Sequence, residues 1–303
     1  MKPAPFKYVA ARSLDQALAL KSEYGDDARF LAGGQSLVPA LNFRLSQPAV
    51  LIDINPIADL AGVAPAPDGA LRIGALARYR QLERDDAVRR HVPLIGEALP
   101  HIAHPQIRNR GTLGGNLSNA DPASELPAVV VTLGGRLHVR SVRGERWIDA
   151  ADFFVGLLTT ALESDEMLVA AELPAPPPRT GFCFMEVARR RGDFALAGVG
   201  VSVTLAEDGS CKEVRLGFCG LGDKPQRANE AERSIVGSRL GADDLAQAMD
   251  LVKRHVDPPG SIHASKDFQR HLAGVLAGRA LRTSDITGLR TCGVQRPPTS
   301  EGE

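Results

Sequence analysis

Apolar residues along this 303-residue chain recur in two rhythms. Leu14, Ala17, Leu18 and Leu20 follow Ser13 at helical spacing, Gln16 completes a capping box with that serine, and Gly25 closes the pattern. "ARFLAGG" and "AVLIDINP" are instead short continuous runs, one entering a glycine turn and the other ending at Asn55-Pro56, as strands do. Together they predict a βαββ-like lobe ending near residue 56. A second lobe opens with the strand "ALRIGALA". Helices over residues 79–84 and 92–103 follow, then a helix in "DPASELPAVVVTLGG" with Pro122 at its start. The strands "RLHVRS" and "ERWID", the segment "ADFFVGL" and the strand "EMLVAAELP" complete the lobe.

The sharpest break is "PAPPPRT" at residues 174–180, whose prolines favour extended backbone and cannot lie in a central strand. Beyond it the strands "GFCFMEVA", "AGVGVSVTL" and "CKEVRLGFCG" precede helices near residues 226–236, 241–255 and 264–280. Strands first and helices afterwards predict a separate α+β domain. The expected organisation is a two-lobed domain over residues 1–177 (lobes about 1–56 and 57–177), a C-terminal α+β domain over 178–290, and a flexible tail over 291–303.

Charge narrows the function classes. Thirty-six basic residues balance 36 acidic ones, whereas a nucleic-acid surface shows a basic excess. No apolar run reaches the length of about 18 residues that spans a bilayer, and "MKPAPFKYVAARSLDQ" lacks the apolar stretch of a signal peptide. A soluble cytoplasmic protein is expected. Cys183, Cys211, Cys219 and Cys292 form no CxxC pair and match neither zinc nor iron–sulfur ligand spacing, so buried thiols are expected. "HIAH" at residues 101–104 runs into Pro105 with no carboxylate at ligand spacing, so no metal is expected there.

Two glycine pairs carry the chemistry: "LAGGQS" at residues 31–36 and "GTLGGN" at residues 111–116. A Rossmann site is tempting, because Asp53 lies about twenty residues beyond Gly33, where a ribose-binding acid belongs. Gly33 and Gly34 are adjacent, however, not spaced as G-x-G-x-x-G, and no Walker-type Gly-Lys-Ser/Thr is present. What remains is an anion-binding nest, in which successive backbone N–H groups of a glycine turn point to one side. Gln35, Ser36, Thr112 and Asn116 add neutral donors, and neither turn contains lysine or arginine. Two such turns from two lobes could grip a pyrophosphate through amide dipoles alone.

"AGGQSLVPALNFRL", "HPQIRNRGTLGGNLSNADPASELP" and "ARRRGDFALAGV", in that order, resemble the FAD-binding medium subunit of the molybdenum hydroxylases. That family includes the corresponding subunits of xanthine, carbon monoxide, nicotine and caffeine dehydrogenases. The resemblance runs from "MKPAPFKY" to about residue 290. It implies a PCMH-type FAD-binding domain, as in vanillyl-alcohol oxidase-like flavoproteins, followed by the smaller α+β domain. By position it implies that Ala32, Gly33, Gly34, Gln35 and Ser36 hold the FAD diphosphate from one side. Thr112, Gly114, Gly115 and Asn116 would meet the diphosphate and ribityl chain from the other. Ile102 matches an apolar position near the cofactor, and Met167 and Leu168 match residues packed near the flavin ring. Ser124 and Glu125 match a Ser-Asp pair by the adenosine portion. Asp193 matches an acidic position near the flavin. Met185 departs from the pattern, standing where several members carry a lysine beside the ring; without that cation the reduced flavin loses some stabilisation.

The resemblance further implies a division of labour. A large subunit with a molybdopterin cofactor hydroxylates a small, N-heterocyclic substrate, and a small subunit relays electrons through two [2Fe–2S] clusters. This chain collects them on FAD and passes them to an external acceptor, in a dimer of heterotrimers. Arg189, Arg190 and Arg191 are candidates for the subunit interface. Two other readings share the fold: a self-contained flavin oxidase or dehydrogenase using Asp193 or Glu186 as base, and a non-catalytic assembly subunit that has lost FAD.

Overall fold

The computed structural model describes residues 1–284. The tail expected over residues 291–303, Cys292 within it, and the end of the domain expected to reach 290 lie outside the described residues. The first lobe comprises β1 (Lys7–Ala10), α1 (Leu14–Tyr24), β2 (Ala28–Leu31), α2 (Leu37–Asn42) and β3 (Val50–Asp53). Its strands form a parallel sheet in the order β1-β3-β2. Ala17 and Leu18 of α1 bury with Val50, Ile52 and Ile54. Ser13 caps α1 by accepting from the Gln16 amide at 3.2 Å, but the Gln16 side chain accepts from the Arg12 amide at 2.8 Å, so the expected box is closed one residue early. Helix α2 was not legible in the pattern. Its Pro39 sits in the first turn, where no intrahelical amide is required.

The second lobe contributes β4 (Val63–Pro65), β5 (Leu71–Gly74), α3 (Tyr79–Leu82), α4 (Asp86–His91), α5 (Pro93–Ala98), α6 (Pro105–Arg108), α7 (Leu113–Asn119) and α8 (Glu125–Leu133). After them come β6 (Arg136–Ser141), β7 (Gly144–Asp149), α9 (Ala150–Phe153), β8 (Phe154–Gly156), β9 (Thr159–Thr160) and β10 (Met167–Leu173). An antiparallel sheet in the order β4-β5-β10-β6-β7 puts β10 at its centre, buried along its whole length. The helix expected over 92–103 ends at Ala98 and tightens into a 3-10 turn over Leu99–His101, where Pro100 has no amide to continue it. The expected start at Pro122 shifts to Glu125, with Ser124 as N-cap.

Residues 174–179 connect β10 to the C-terminal sheet, β11 (Thr180–Ala188), β12 (Ala195–Leu205), β13 (Cys211–Cys219) and β14 (Gln226–Arg227), antiparallel in chain order. Helices α10 (Asn229–Ile235), α11 (Ala242–His255) and α12 (Lys266–Ser284) follow, as expected. Period-two alternation splits this sheet between two cores. Cys183, Val199, Val201 and Leu216 join the core that includes α10, α11 and α12, whereas Phe182, Phe184 and Cys219 join the second lobe's core with Leu94, Ile95 and Val130. The C-terminal sheet is therefore sandwiched, and its second face is covered by α5 and α8 of the preceding lobe. Across this sheet the two regions share a core. Cys183, Cys211 and Cys219 are buried, and no described helix is long and apolar enough to cross a membrane.

Close approach of α8 to this sheet depends on two glycines. A β-carbon on Gly217 would lie 2.1 Å from Thr132 Oγ1 and 2.9 Å from the Ala128 carbonyl oxygen, and one on Gly200 would lie 3.2 Å from the same hydroxyl. Thr132 is buried and donates to Ala128 O at 2.7 Å, so it cannot swing away freely. We expect Gly217→Ala to destabilise the protein by about 1–3 kcal/mol, the usual range for overpacking, read as a lowered midpoint in denaturant unfolding. An unchanged midpoint would mean that α8 is not held this close.

Candidate functional site

The two glycine stretches, about eighty residues apart, meet. A β-carbon on Gly33 would lie 2.4 Å from the carbonyl oxygen of Arg110 and 3.0 Å from Gly111 Cα. Gly33 is thus required by backbone-to-backbone packing between lobes. Gly34 is required by conformation, with φ at +73°. The backbone N–H groups of Gly33, Gly34, Gln35 and Ser36 find no acceptor among the described residues, which is the condition for an anion-binding nest.

The second stretch does not have the expected form. "GTLGGN" is no turn: Thr112 is the N-cap of α7, and its Oγ1 accepts from the Gly115 amide at 3.2 Å. The Leu113 amide donates to Ala77 O at 3.0 Å and the Gly114 amide to Ala75 O at 2.8 Å. These N–H groups already have protein acceptors, so this side offers side chains more than a free nest. Gly114 is small because a β-carbon would lie 2.4 Å from that of Ala75. Gly115 faces the first turn, where a β-carbon would come to 3.7 Å from that of Ala32.

Between the two stretches lies a cavity of about 610 Å³. Eleven expected residues line it: Ala32, Gly33, Gly34, Gln35, Ser36, Thr112, Gly114, Gly115 and Asn116, with Met167 and Leu168 from β10. Residues not anticipated also line it, notably Arg29, Tyr79, Ser118 and Asn119. Arg29 corrects the reading of a wholly uncharged cradle. It lies outside the glycine turn but on β2, the strand that feeds it, and strand alternation turns it away from buried Ala28.

The remaining five expected residues lie elsewhere. Ser124 and Glu125 are buried behind the cavity wall, where Asn116 Nδ2 donates to Ser124 Oγ at 2.7 Å. Ile102 is buried in the second lobe's core. Met185 is half-buried against the core of the C-terminal sheet and does not line the cavity. Asp193 lines a different cavity, of about 510 Å³, with Arg189, Phe194 and His263. Its carboxylate is 3.5 Å from Arg189 Nη2, so that arginine is engaged within the chain.

One buried atom tests whether a dinucleotide with hydroxyl groups fits. Asn116 Oδ1 has no hydrogen-bond partner although its amide nitrogen does. A buried acceptor without a donor costs roughly 1–3 kcal/mol, and a ligand hydroxyl would remove that cost. The free amides of the first turn, the orphaned acceptor and the cavity's position together fit FAD.

The cradle is braced by a polar network that sequence reasoning missed. Arg78 donates through Nη1 to Arg110 O and through Nη2 to Asn55 Oδ1, so one guanidinium spans both lobes. Asn55 Nδ2 in turn donates to Ala32 O at 2.9 Å and Leu31 O at 3.2 Å. Asp53 accepts from the Asn55 amide at 2.9 Å and from Tyr8 Oη at 2.5 Å. Burial alone would raise the Asp53 carboxyl; its bonds from Tyr8 and Asn55 outweigh this and hold it below the ordinary range. Asp53 therefore supports the first turn from outside the cavity, consistent with the failure of the Rossmann spacing.

Residues 4–176 match the family described as the FAD binding domain in molybdopterin dehydrogenase, and residues 182–284 match the CO dehydrogenase flavoprotein C-terminal domain. The chain is 39% identical to the 6-hydroxypseudooxynicotine dehydrogenase complex subunit alpha of Paenarthrobacter nicotinovorans, over 93% of this chain and 95% of that protein. It is 40% identical to caffeine dehydrogenase subunit beta of Pseudomonas sp. (strain CBB1), with the same coverage. Among solved structures, a chain of the Cu,Mo-CO dehydrogenase in its cyanide-inactivated form superposes with a TM-score of 0.91 at 33% identity, covering 94% of this chain and 99% of that one. Quinoline 2-oxidoreductase from Pseudomonas putida 86 gives 0.89 at 33% identity, covering 94% and 98%.

Two outcomes follow from the brace and from the buried acid. Hydrogen bonds to a charged donor contribute roughly 1.5–3 kcal/mol, so Arg78→Ala should weaken FAD binding by roughly 10- to 150-fold in fluorescence titration. Arg78→Lys should fall between, because an ammonium cannot fork across both lobes. Burial, and then the neighbouring Glu186 charge, raise the Glu125 carboxyl from 4.5 to about 8. The folded protein then keeps a proton that the unfolded chain has released, so stability falls as pH rises from about 4.5 to about 8 and levels above that. Glu125→Gln should remove a component on the order of 5 kcal/mol from that fall, seen in unfolding free energies measured across pH; parallel wild-type and variant curves would refute the shift.

Proposed function

Because this chain belongs to the FAD-binding medium-subunit family of the molybdenum hydroxylases, we propose that it holds FAD along the cavity between its lobes and serves as the electron outlet of a three-subunit oxidoreductase. FAD, when bound, exchanges electrons with both one-electron and two-electron carriers. Everything else asked of this chain is placement. The amides of residues 33–36 take the diphosphate on one side, while Thr112, Gly115 and Asn116 take the diphosphate and ribityl hydroxyls on the other. Met167 and Leu168 give the ring an apolar wall that excludes water. Ser124 acts through Asn116, fixing its amide by accepting from Nδ2 at 2.7 Å. The observation that carries this reading is an unsatisfied amide nest that lines the cavity between the lobes.

The assembly we infer has a large molybdopterin subunit that hydroxylates an N-heterocyclic substrate and a small subunit with two [2Fe–2S] clusters that delivers electrons here, as a dimer of heterotrimers. Similarity to proteins named for nicotine-derived compounds and caffeine supports the substrate class. We place the complex in the cytoplasm, where thiols such as Cys211 and Cys219 stay reduced. We also take residues 1–177 and 178–290 as the two domains; the family matches ending at 176 and starting at 182 support that division.

A self-contained oxidase would need a general base beside the cofactor. Asp193 lines the other cavity and the Glu186 side chain is 5% exposed and paired with His101, so neither lines the FAD cavity. Anaerobic titration checks the assignment: the isolated yellow protein should stay oxidised with N-heterocyclic substrate alone and bleach once both partner subunits are added. Bleaching by substrate alone would identify an independent dehydrogenase, and a colourless protein an assembly subunit.

A further inference from the structure

The cavity between the lobes contains a buried carboxylate that the diphosphate grip does not use. Glu166 immediately precedes β10, lines the cavity beside Met167 and Leu168, and is 8% exposed. A carboxylate in the wall of a space built for a diphosphate is unexpected, since like charges repel. Arg146 of β7 removes the difficulty. Its Nε donates to Glu166 Oε1 at 2.7 Å and its Nη2 to Oε2 at 2.8 Å, so the pair is bidentate and close to neutral. We propose that Glu166 is a specificity-determining residue, which accepts a hydrogen bond from an uncharged N–H or O–H group of the dinucleotide held in this cavity.

The lone pairs of the carboxylate support this. An ionised carboxylate offers about two acceptor positions on each oxygen. Oε2 takes Arg146 Nη2 and, also at 2.8 Å, the Glu163 amide, whereas Oε1 takes only Arg146 Nε among the described residues. Oε1 therefore keeps an unused position, on a buried side chain that lines the cavity. The bond from Arg146 outweighs burial and holds the Glu166 carboxyl below its ordinary range, so the group is an acceptor at neutral pH.

The acceptor is also fixed in place. Arg146 Nη2 donates to Ala161 O at 2.9 Å, and Arg143, in the turn before β7, pairs with Asp165 at 2.7 Å and with Glu163. These bonds tie residues 161–166 to the β6–β7 hairpin. A ligand thus meets a carboxylate that is already oriented, and little freedom is lost when the bond forms. A ligand presenting phosphate or carboxylate at Oε1 would be rejected by its charge.

The contact rests on FAD occupying the cavity, so FAD and its two halves are the probes. In calorimetric titration of the full chain, Glu166→Ala should weaken FAD binding by about 10- to 150-fold. Glu166→Gln, which keeps a neutral acceptor, should fall between. One half-ligand, ADP or FMN, should weaken by a similar factor in Glu166→Ala and the other should not. Loss on ADP places the donor on the adenosine, and loss on FMN places it on the flavin half. Among analogues that each lack a donor (2′-deoxy-ADP, 3′-deoxy-ADP and inosine diphosphate, or N3-methyl-FMN and deoxyribityl-FMN), one should bind wild type more weakly than its parent. That difference should vanish in Glu166→Ala, which a merely structural role would not produce. Unchanged FAD affinity in Glu166→Ala, equal weakening of ADP and FMN, or a wild type indifferent to every analogue would overturn the contact while leaving FAD binding intact. Wild type that binds none of the three probes would overturn the functional reading and this contact together.

Discussion

The contact on which this protein depends is between two stretches of backbone. Gly33 rests on the carbonyl of Arg110 and the Cα of Gly111 at a distance no β-carbon would permit. That contact sets how far apart the two lobes stand, and the gap they leave is the cofactor cavity. Arg78 then locks it, reaching the Arg110 carbonyl on one side and, through Asn55, the carbonyls of Leu31 and Ala32 on the other. The glycines of the first turn thus serve two ends. One lets protein touch protein, and the next, at positive φ, turns its amides toward the space where a ligand's phosphates would lie.

Charge is handled by distance from the site. The cavity wall offers amide dipoles and neutral side chains, with Arg29 and Glu166 as its charged residues. Arg78 and Asp53 stand behind the wall and act on geometry, while Glu166, which lines the cavity, is held in an ion pair by Arg146 at 2.7 Å. Glu125 and the Glu186 side chain are instead buried, the latter 3.3 Å from the partly exposed His101 imidazole. The two acids differ in setting: donors from Tyr8 and Asn55 hold the Asp53 carboxyl low, whereas burial raises that of Glu125.

The cofactor lobe and the C-terminal region are less independent than their connection suggests. Helix α8 begins at the buried acid and then lies on β12 and β13, close enough that Gly200 and Gly217 must lack side chains. The element that supports the cavity wall is thereby clamped between two cores. A disturbance of the C-terminal sheet would reach Ser124 and Asn116 through α8 without touching the cradle directly.

Much of this was legible in the residues. Strands such as Met167–Leu173 and Thr180–Ala188 announce themselves by continuous or alternating apolar runs, and adjacent glycines with neutral donors point to a nest that holds phosphate. The cap by Thr112 is local, but the carbonyls of Ala77 and Ala75 that receive the Leu113 and Gly114 amides of "GTLGGN" belong to tertiary pairing, which local pattern could not show. Nor could it separate Asp193 and Met185 from the cavity, since proximity along a motif says nothing about which wall a strand faces. The link from Arg78 to Asn55, and that from His101 to Glu186, join residues tens of positions apart. The chain alone determines which groups can donate, accept or carry charge. Which of them are brought together, and at what dielectric cost, is decided only when the lobes close, because hydrogen bonding and burial depend on separation in space and not on separation in sequence.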